Sequence, residues 1–445
     1  MKLTLKKWGT FLVSFTASVS SFAQYTSDDG TLSLNLDKAI EIALAKNPTI
    51  RVADQEVQLK EVANKEAWQT LLPSVTVDAS LQHTLLAAQM KLGGNTFKMG
   101  QDNTNTAAAS ATLSLPLFAP AVYQSMKLTK EDILLAQEKA RGSRLDLINQ
   151  VTKAYYAALL SKDSYDVVKK GYNTAKENFD VVSSKYDVGS VSEYDKISAE
   201  VQMRSMNSSL VSTETGLRLA LLQLKVLMGV TADMNLSIED SLKRYENSLV
   251  LASNGTEDLG GNTTLRQLDA NTQLLMRTRK TLYTNFMPTL AFQLTGQYQS
   301  LYNDNWNLFK YSWAPSASFA FALSIPIFKA SNFTSLKSNS IQLKQMEDTR
   351  LDTERKLQLA AEGYKQNMAS TIAQVESNKK AVEQANKAVT ISSKRYDVGR
   401  GTILELNQSE TALTQAELTY AQSIYDYLTN SADLDYTLGR ETYLK

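Results

Sequence analysis

The sequence predicts an α+β membrane protein made of two copies of one unit, and each copy combines a pair of strands with a long pair of coiled-coil helices. Three observations predict this class. Short motifs recur at a fixed distance, several segments alternate between apolar and polar residues, and two long segments repeat every seven positions. Few, long elements also agree with only 7 Pro and 18 Gly among 445 residues.

The duplication is recognised from motifs that return after the same number of residues. Three pairs lie 210 positions apart: Ser-x-Pro-x-Phe at 114–118 and 324–328, Tyr-Asp-Val-Gly at 186–189 and 396–399, and a hydrophobic residue before Gly at 228–229 and 438–439. A fourth pair, at 72–73 and 287–288, lies 215 apart. Because chance does not keep three matches in one register, we expect a first repeat over 24–230, a connector over 231–261 with a short helix near 239–247, and a second repeat over 262–445.

The first 23 residues have the features of a signal peptide. Lys2, Lys6 and Lys7 form a basic start, a short apolar stretch follows over 9–19, and residues 21–23 have the small-x-small pattern of a cleavage site. A membrane anchor is the alternative, but the stretch is short and rich in Ser and Thr. Cleavage changes the formal charge from +1 to about −2, so the mature chain stays close to neutral.

The composition argues against several classes of protein. Lys and Arg total 47 against 46 Asp and Glu, so no excess charge points to nucleic acid as a partner. The absence of cysteine excludes disulfides, thiolate metal sites and an acylated N-terminal Cys. After residue 23 no run of about 18 apolar residues occurs, so we expect any crossing of a membrane to use strands.

Four segments alternate as strands do, at about 73–90, 105–117, 288–302 and 311–327. Each has about ten alternating residues, the length that a tilted strand needs to cross a bilayer, and its polar positions are mostly Ser, Thr and Gln. A half-buried sheet in a soluble protein is the alternative. Four strands do not close a barrel, and lipid does not tolerate open strand edges, so closure requires several chains.

Two sets of residues mark the ends of these strands. Aromatic residues suited to a lipid–water interface cluster at Tyr298, Tyr302, Trp306, Phe309, Tyr311 and Trp313. Four of the seven prolines are expected at strand–helix junctions, where a missing N–H is tolerated: Pro73, Pro116, Pro288 and Pro326.

Long helical hairpins are predicted over 120–229 and 329–438, and each turns at a Tyr-Asp-Val-Gly motif. In the second hairpin an apolar or small residue recurs every seven positions, at Ala361, Met368, Val375, Val382 and Val389. The first hairpin keeps the same register, with Val151, Ala158, Tyr165, Tyr172 and Phe179. The heptads predict coiled-coil packing along one seam, and a helix of about 65 residues would be about 100 Å long.

The chain resembles the TolC-like outer-membrane efflux family. The features that carry this resemblance are the opening Leu36-Asp37-Lys38-Ala39-Ile40 with Asn47-Pro48, the Leu-Pro and Ser-x-Pro-x-Phe motifs, and the duplicated Tyr-x-Val-Gly turns. Each motif is modest alone, but their order and spacing are specific, and the resemblance covers nearly the whole mature chain.

The resemblance implies a homotrimer in outer-membrane lipid of a Gram-negative cell. Four strands per chain would form a twelve-stranded transmembrane β-barrel, and the helices would form an α-helical barrel in the periplasm. This channel would passively conduct substrates from a periplasmic adaptor protein and an inner-membrane pump, proton-coupled or ATP-driven, in a tripartite efflux or type I secretion system. Small molecules and proteins both stay open as substrates, and a periplasmic coiled-coil adaptor or scaffold is the alternative function.

The resemblance also assigns roles to the two turns. It implies adaptor-docking tips at Tyr186, Val188, Gly189, Val398 and Gly399, and a periplasmic aperture formed by Tyr396, Glu405, Asp195, Gln408 and Arg400. A ring of like charges in a narrow mouth favours cations. The sequence departs from the family pattern at Gln408, where a second acid is usual, and at Gly401, where an Arg is usual. The alternative for Glu405 is a solvated acid on a helix surface.

Catalytic chemistry is not predicted. His83 is the only histidine, which excludes a His-based triad and a multi-histidine metal site. The pairs Gly93-Gly94 and Gly260-Gly261 lack the Lys-Ser/Thr that follows in a phosphate-binding loop. We therefore expect neither enzyme activity nor a cofactor, and we expect a partner protein to supply the energy for transport.

Overall fold

The computed structural model describes residues 31–238, 240–249 and 258–440, and the predicted signal peptide 1–23 lies outside them. The α-helices are α1 (Leu36–Lys46), α2 (Pro48–Gln69), α3 (Pro120–Asp187), α4 (Glu193–Met228), α5 (Thr263–Thr284), α6 (Ala330–Asp397) and α7 (Ile403–Leu438). The strands are β1 (Thr31–Leu34), β2 (Ser74–Thr84), β3 (Ala88–Leu92), β4 (Asn95–Met99), β5 (Thr104–Phe118), β6 (Asn235–Ile238), β7 (Thr289–Asn303) and β8 (Ala314–Ser324). Short 3₁₀ helices occupy Leu242–Ser248 and Leu308–Lys310.

The chain divides into two compact units. A strand unit comprises Ala53–Lys139 and Arg266–Asp352, and a helical unit comprises the described residues within Met1–Val52, Ala140–Leu265 and Thr353–Lys445. Among the described residues, no helix combines the length and the apolar character needed to cross a membrane.

The strand unit contains a four-stranded antiparallel sheet in the order β2-β5-β7-β8. Its register lines up side chains of one kind across all four strands, since Val75, Leu113, Leu294 and Phe319 are successive neighbours on one face. The other face carries a matching polar row: Thr76, Thr112, Thr295 and Ser318. The predicted alternation is therefore confirmed, and the sheet has one apolar and one polar face.

The edges of this sheet are β2 and β8, and each is 11 residues long. Pairing of β5 with β7 joins the two repeats inside the chain. Neither β2 nor β8 has a second neighbour within the described part of the chain, so each presents a row of backbone N–H and C=O groups without strand partners.

A small hairpin was missing from the sequence interpretation. The first predicted strand, which we expected to extend to about residue 90, ends at Thr84, and β3 and β4 then form an antiparallel pair. Gly93 and Gly94 connect them with φ of 57° and 87°, and a two-residue turn with positive φ at both positions favours glycine. The Gly-Gly pair is thus the sequence signal of this hairpin.

The four prolines do not all lie between a strand and a helix. Pro73 and Pro288 come directly before β2 and β7, and Pro326 lies between β8 and α6. Pro116 instead lies inside β5, opposite Ala291, which corrects its predicted place. Pairing with β2 already ends at Ser114 and the register with β7 shifts just after Pro116, so this position tolerates a residue without an N–H.

The long helices have equal lengths in the two repeats. Helices α3 and α6 each have 68 residues, about 100 Å, and α4 and α7 each have 36. Five of the predicted heptad residues are buried in the helical unit, namely Val151, Ala158, Ala361, Met368 and Val375. The other five are partly buried, namely Tyr165, Tyr172, Phe179, Val382 and Val389. This confirms the predicted apolar seam.

An asparagine at equivalent places closes each helical hairpin in the helical unit. The Asn47 amide donates to the carbonyl of Leu227 at 2.8 Å, and the Asn262 amide donates to the carbonyl of Thr437 at 2.7 Å. The acceptors are 210 residues apart and the two asparagines 215 apart, which reproduces both spacings found in the sequence. The glycine that ends each hairpin, Gly229 or Gly439, is left-handed and lies against the backbone beside that asparagine. Both repeats therefore share this contact of Asn47 or Asn262 with the end of a helical hairpin, which we call the asparagine joint.

The connector contains a 3₁₀ helix at Leu242–Ser248 in place of the short helix expected near 239–247. Asp163 of α3 accepts hydrogen bonds from the Ser241 hydroxyl and the Leu242 N–H, both at 2.9 Å. Burial raises the pKa of the Asp163 carboxyl, and these hydrogen bonds oppose the shift. Strand β6 pairs in parallel with β1, so the first half of the connector is attached to both β1 and α3.

Candidate functional site: the two helix turns

The turns α3–α4 and α6–α7 have the same backbone geometry. Gly189 and Gly399 have φ of 73° and 72°, a conformation that favours glycine. The N–H of each glycine donates to the carbonyl of the Tyr three residues earlier, at 2.8 and 3.0 Å. The next N–H donates to the carbonyl of Lys185 or Arg395, at 2.8 Å in both turns. This Schellman arrangement explains why Tyr-Asp-Val-Gly occurs twice.

The helices that follow the turns begin with equivalent N-caps, but the acidic residue three positions after each cap makes different contacts. The Ser192 hydroxyl accepts the Asp195 N–H at 3.2 Å, and the Asp195 carboxylate accepts the Ser192 N–H at 3.3 Å, which completes a capping box. In the second turn the Thr402 hydroxyl accepts the Glu405 N–H at 3.2 Å. Asp195 is therefore held by its own helix terminus, whereas the Glu405 carboxylate is directed elsewhere.

Glu405 forms an ion pair with Arg395, a residue that the sequence interpretation missed. Arg395 Nη2 lies 3.6 Å from Glu405 Oε2 and also donates to the Arg400 carbonyl at 3.2 Å. Oε2 is enclosed and has no hydrogen-bond partner within the described part of the chain. The positive residue that faces the acid is thus Arg395, and Arg400 contributes its backbone oxygen. A repeat alignment offered one signal, because Arg395 is the counterpart of Lys185.

Tyr396 lies beside the charges of the first turn. Its ring packs on an apolar cluster formed by Val182, Ala199, Ile403 and Leu406. Lys185 Nζ is 5.3 Å from the ring centroid, which is a cation–π distance. Burial raises the pKa of the Tyr396 phenol, and the negative charges of Asp195 and Asp397 raise it further. The two turns therefore bring Tyr396 and Asp195, from different repeats, into one electrostatic environment.

The apex of each turn is exposed and apolar. Val188 is 79% exposed and Val398 is 69% exposed. Tyr186 stacks under Lys196, whose Nζ lies 4.7 Å from the ring centroid and 3.7 Å from an Asp187 oxygen. Both valines are therefore exposed at equivalent positions of the two turns.

The remaining aperture candidates are on the surface. The side chains of Gln408 and Arg400 are exposed, and Glu405 is half-buried. Across the described residues, no group of three or more His, Cys, Asp or Glu side chains suits a metal ion. Together these residues form a cluster of charged and phenolic side chains at the two turns.

Comparisons with known proteins agree with this architecture. The model of the family described as "Outer membrane efflux protein" matches residues 39–230 and 257–440. The alkaline protease secretion protein AprF of Pseudomonas aeruginosa is 21% identical over 420 residues, which cover 92% of this chain and 85% of AprF. The outer membrane protein TolC of Salmonella enteritidis is 21% identical and covers 91% of this chain and 82% of TolC.

A solved structure shows the same fold. The Campylobacter jejuni CmeC outer membrane channel matches with a TM-score of 0.72 at 16% identity, over 91% of this chain and 85% of that chain. At this identity the match shows the fold alone.

Proposed function

We propose, because this chain belongs to the outer membrane efflux protein family, that it is the exit duct of a tripartite efflux or type I secretion system. The family places the chain in the outer membrane with its helices in the periplasm, and it identifies the chain as a transport channel and not an enzyme. In our proposal three copies form the duct, and an adaptor and an inner-membrane pump deliver substrates that then pass through passively.

One observation carries the trimeric duct, namely the sheet with an apolar face and two unpaired edges. Its edge strands carry large exposed apolar side chains, including Val77 on β2 and Phe319 on β8. Such a face suits lipid, but an unpaired backbone group in lipid costs several kcal/mol. Pairing β8 of one copy with β2 of the next removes this cost, and three copies give the twelve strands that the resemblance implies.

Purification from isolated outer membranes tests this proposal. We expect a species of three chains in detergent by light scattering, a change in gel mobility on heating, and discrete conductance steps in planar bilayers. The adaptor or scaffold alternative predicts a protein without conductance in the osmotic-shock fraction. A monomer in that fraction would overturn the duct.

The two turns are the proposed contact with the periplasmic partner. Val188 and Val398 are exposed at equivalent positions, and they are flanked by ordered charges instead of flexible chain. An adaptor with an apolar surface would bury these valines, and the collar of Tyr396, Asp195, Glu405 and Arg395 would line the aperture. Charge substitutions at Glu405 and Arg395 test the aperture assignment.

The substrate class divides into two cases. AprF is named for secretion of an alkaline protease, which favours a protein substrate, whereas the family name refers to efflux. A deletion strain separates them, because loss of resistance to toxic small molecules indicates efflux and loss of one secreted protein indicates secretion.

A further inference from the structure

The hairpin β3–β4 is amphipathic and presents its apolar face to the surroundings. Its register places Met90 opposite Phe97 and Lys98 opposite Gln89, so apolar and polar residues lie on opposite faces. On the apolar face, Met90, Phe97 and Met99 are 47%, 55% and 62% exposed. Within the strand unit, this small element therefore carries an apolar surface without an intrachain cover.

The base of this hairpin is held in place by hydrogen bonds. The Asn103 N–H donates to the Leu85 carbonyl at 3.4 Å, and the Ala87 N–H donates to an Asp102 carboxylate oxygen at 2.8 Å. The other oxygen of Asp102 accepts from Lys98 Nζ at 2.6 Å. These hydrogen bonds hold the β3–β4 hairpin, with its exposed apolar face, as an ordered extension of β2 and β5.

A second exposed apolar surface lies in the connection between β7 and β8. Phe309 is fully exposed, and its N–H donates to the Asn307 side chain at 3.1 Å. Trp313 Nε1 donates to the Leu308 carbonyl at 3.4 Å, which holds the turn against the start of β8. The turn Leu308–Lys310 therefore presents an aromatic ring next to one edge of the sheet.

The proposed pairing of edges brings these two surfaces together. Strands β2 and β8 have equal lengths, and antiparallel pairing between copies matches the end of β2 with the start of β8. Leu85 and Leu86, which follow β2, are 68% and 82% exposed. They would then lie beside the Phe309 turn of the neighbouring copy.

We infer that the β3–β4 hairpin of one copy, with Leu85 and Leu86, covers the Phe309 turn of the next copy and forms an apolar clasp between them. The inference rests on the proposed trimer and goes beyond strand pairing, because it assigns an occupant to apolar surface outside the sheet. Burial of the apolar side chains of the clasp at each junction stabilises the assembly where strand hydrogen bonds end.

Disulfide trapping tests the clasp, and the absence of native cysteine makes the result unambiguous. Chains carrying Leu86→Cys and chains carrying Phe309→Cys are given different tags, co-expressed and oxidised in native membranes. We expect a linked pair that contains both tags. A matched control replaces Leu86→Cys by Ile341→Cys, an exposed position on α6, and should give no link.

The outcomes separate the clasp from the duct. If light scattering finds three chains and no link forms, the clasp is wrong while the duct stands. If bimane on the Leu86→Cys chain is instead quenched by brominated lipid, then lipid covers this face and the clasp is also wrong. Absence of a three-chain species would overturn both proposals.

Discussion

Equivalent acids in the two repeats have different surroundings. The Asp195 carboxylate accepts hydrogen bonds from Ser192 at the helix cap. Glu405 Oε2 instead lies 3.6 Å from Arg395 Nη2 and has no hydrogen bond among the described residues. Glu405 is therefore paired with a cation, whereas Asp195 is held by the neutral groups of a helix cap. This difference depends on side-chain direction, which the sequence motif alone does not specify.

Replacement Glu405→Gln tests the aperture assignment. In a trimer it removes three negative charges, so at low salt we expect the cation-to-anion permeability ratio to fall by a factor of about two or more, with a smaller change at high salt. Reversal potentials in planar bilayers under a salt gradient measure this ratio. Arg395→Gln should raise it, because the carboxylate loses its counter-charge.

Glu193→Gln is the matched control for this pair, since Glu193 is an exposed acid in the first turn of α4. It should leave the permeability ratio unchanged. Equal ratios in wild type and Glu405→Gln at low salt would remove Glu405 from the aperture.

Glu410 is a carboxyl group enclosed between helices. It lines a cavity of about 160 Å³ together with Lys170 and Glu417, and it accepts a hydrogen bond from the Asn178 amide at 2.6 Å. Burial raises the pKa of the Glu410 carboxyl, and the hydrogen bond opposes the shift. A raised pKa in the folded state means that the contribution of Glu410 to stability is lost as pH rises through that pKa.

Replacement Glu410→Gln should therefore stabilise the protein at pH 7 by about 1 kcal/mol, because a buried charge is removed and an acceptor for Asn178 stays. The gain should disappear near pH 4, where the native carboxyl is already protonated. Thermal unfolding followed by circular dichroism across this pH range measures the difference. Glu376→Gln, on the exposed side of α6, should give no gain; an equal gain there would contradict the role of burial.

At the scale of elements, the asparagine joint connects two helices through a single side chain in each repeat. Asn262 donates to the Thr437 carbonyl and accepts the Leu265 N–H at 3.0 Å, so one side chain links the end of α7 to the start of α5. Asn47 does the same between α4 and α2, where it accepts the Thr49 N–H at 2.8 Å.

Replacement Asn262→Ala should lower the free energy of unfolding by about 1–3 kcal/mol, since it removes a cap and leaves a buried carbonyl without its donor. Asn47→Ala should have a similar effect, because the two joints are equivalent. Chemical denaturation of the detergent-solubilised protein measures both. Asn173→Ala, on the exposed side of α3, is the control and should change stability by less than about 0.5 kcal/mol.

The elements that the sequence predicted are those whose periodic pattern extends over many residues. Heptads over 68-residue helices and ten-residue alternation leave little ambiguity, and both were recovered in the described structure. The strands β1 and β6 have only four residues each, too few for alternation to be recognised, and they pair across two hundred residues. Pro116 was misplaced because its tolerance depends on where β2 stops pairing, which is a property of the partner strand.

At the scale of the whole molecule, duplication was the strongest signal in the sequence. The spacing of 210 relates the turns and their caps, and 215 relates the joint asparagines and the prolines before β2 and β7. The contacts inside the candidate aperture could not be derived in this way. The ion pair of Arg395 and Glu405 depends on the rotamers of both side chains, and Tyr396 lies near Asp195 of the other repeat. Periodicity predicts which face is buried, and it does not specify which charges become neighbours.

The two open strand edges have a consequence for the life of a newly exported copy. Before the proposed trimer assembles, a single copy exposes two strand edges that can mispair with any extended polypeptide, and an apolar face that promotes aggregation. Biogenesis must therefore shield these rows or keep the interval before oligomerisation brief. When a periplasmic chaperone is depleted, newly made copies should accordingly aggregate first. Transport by copies that are already assembled should decline only later.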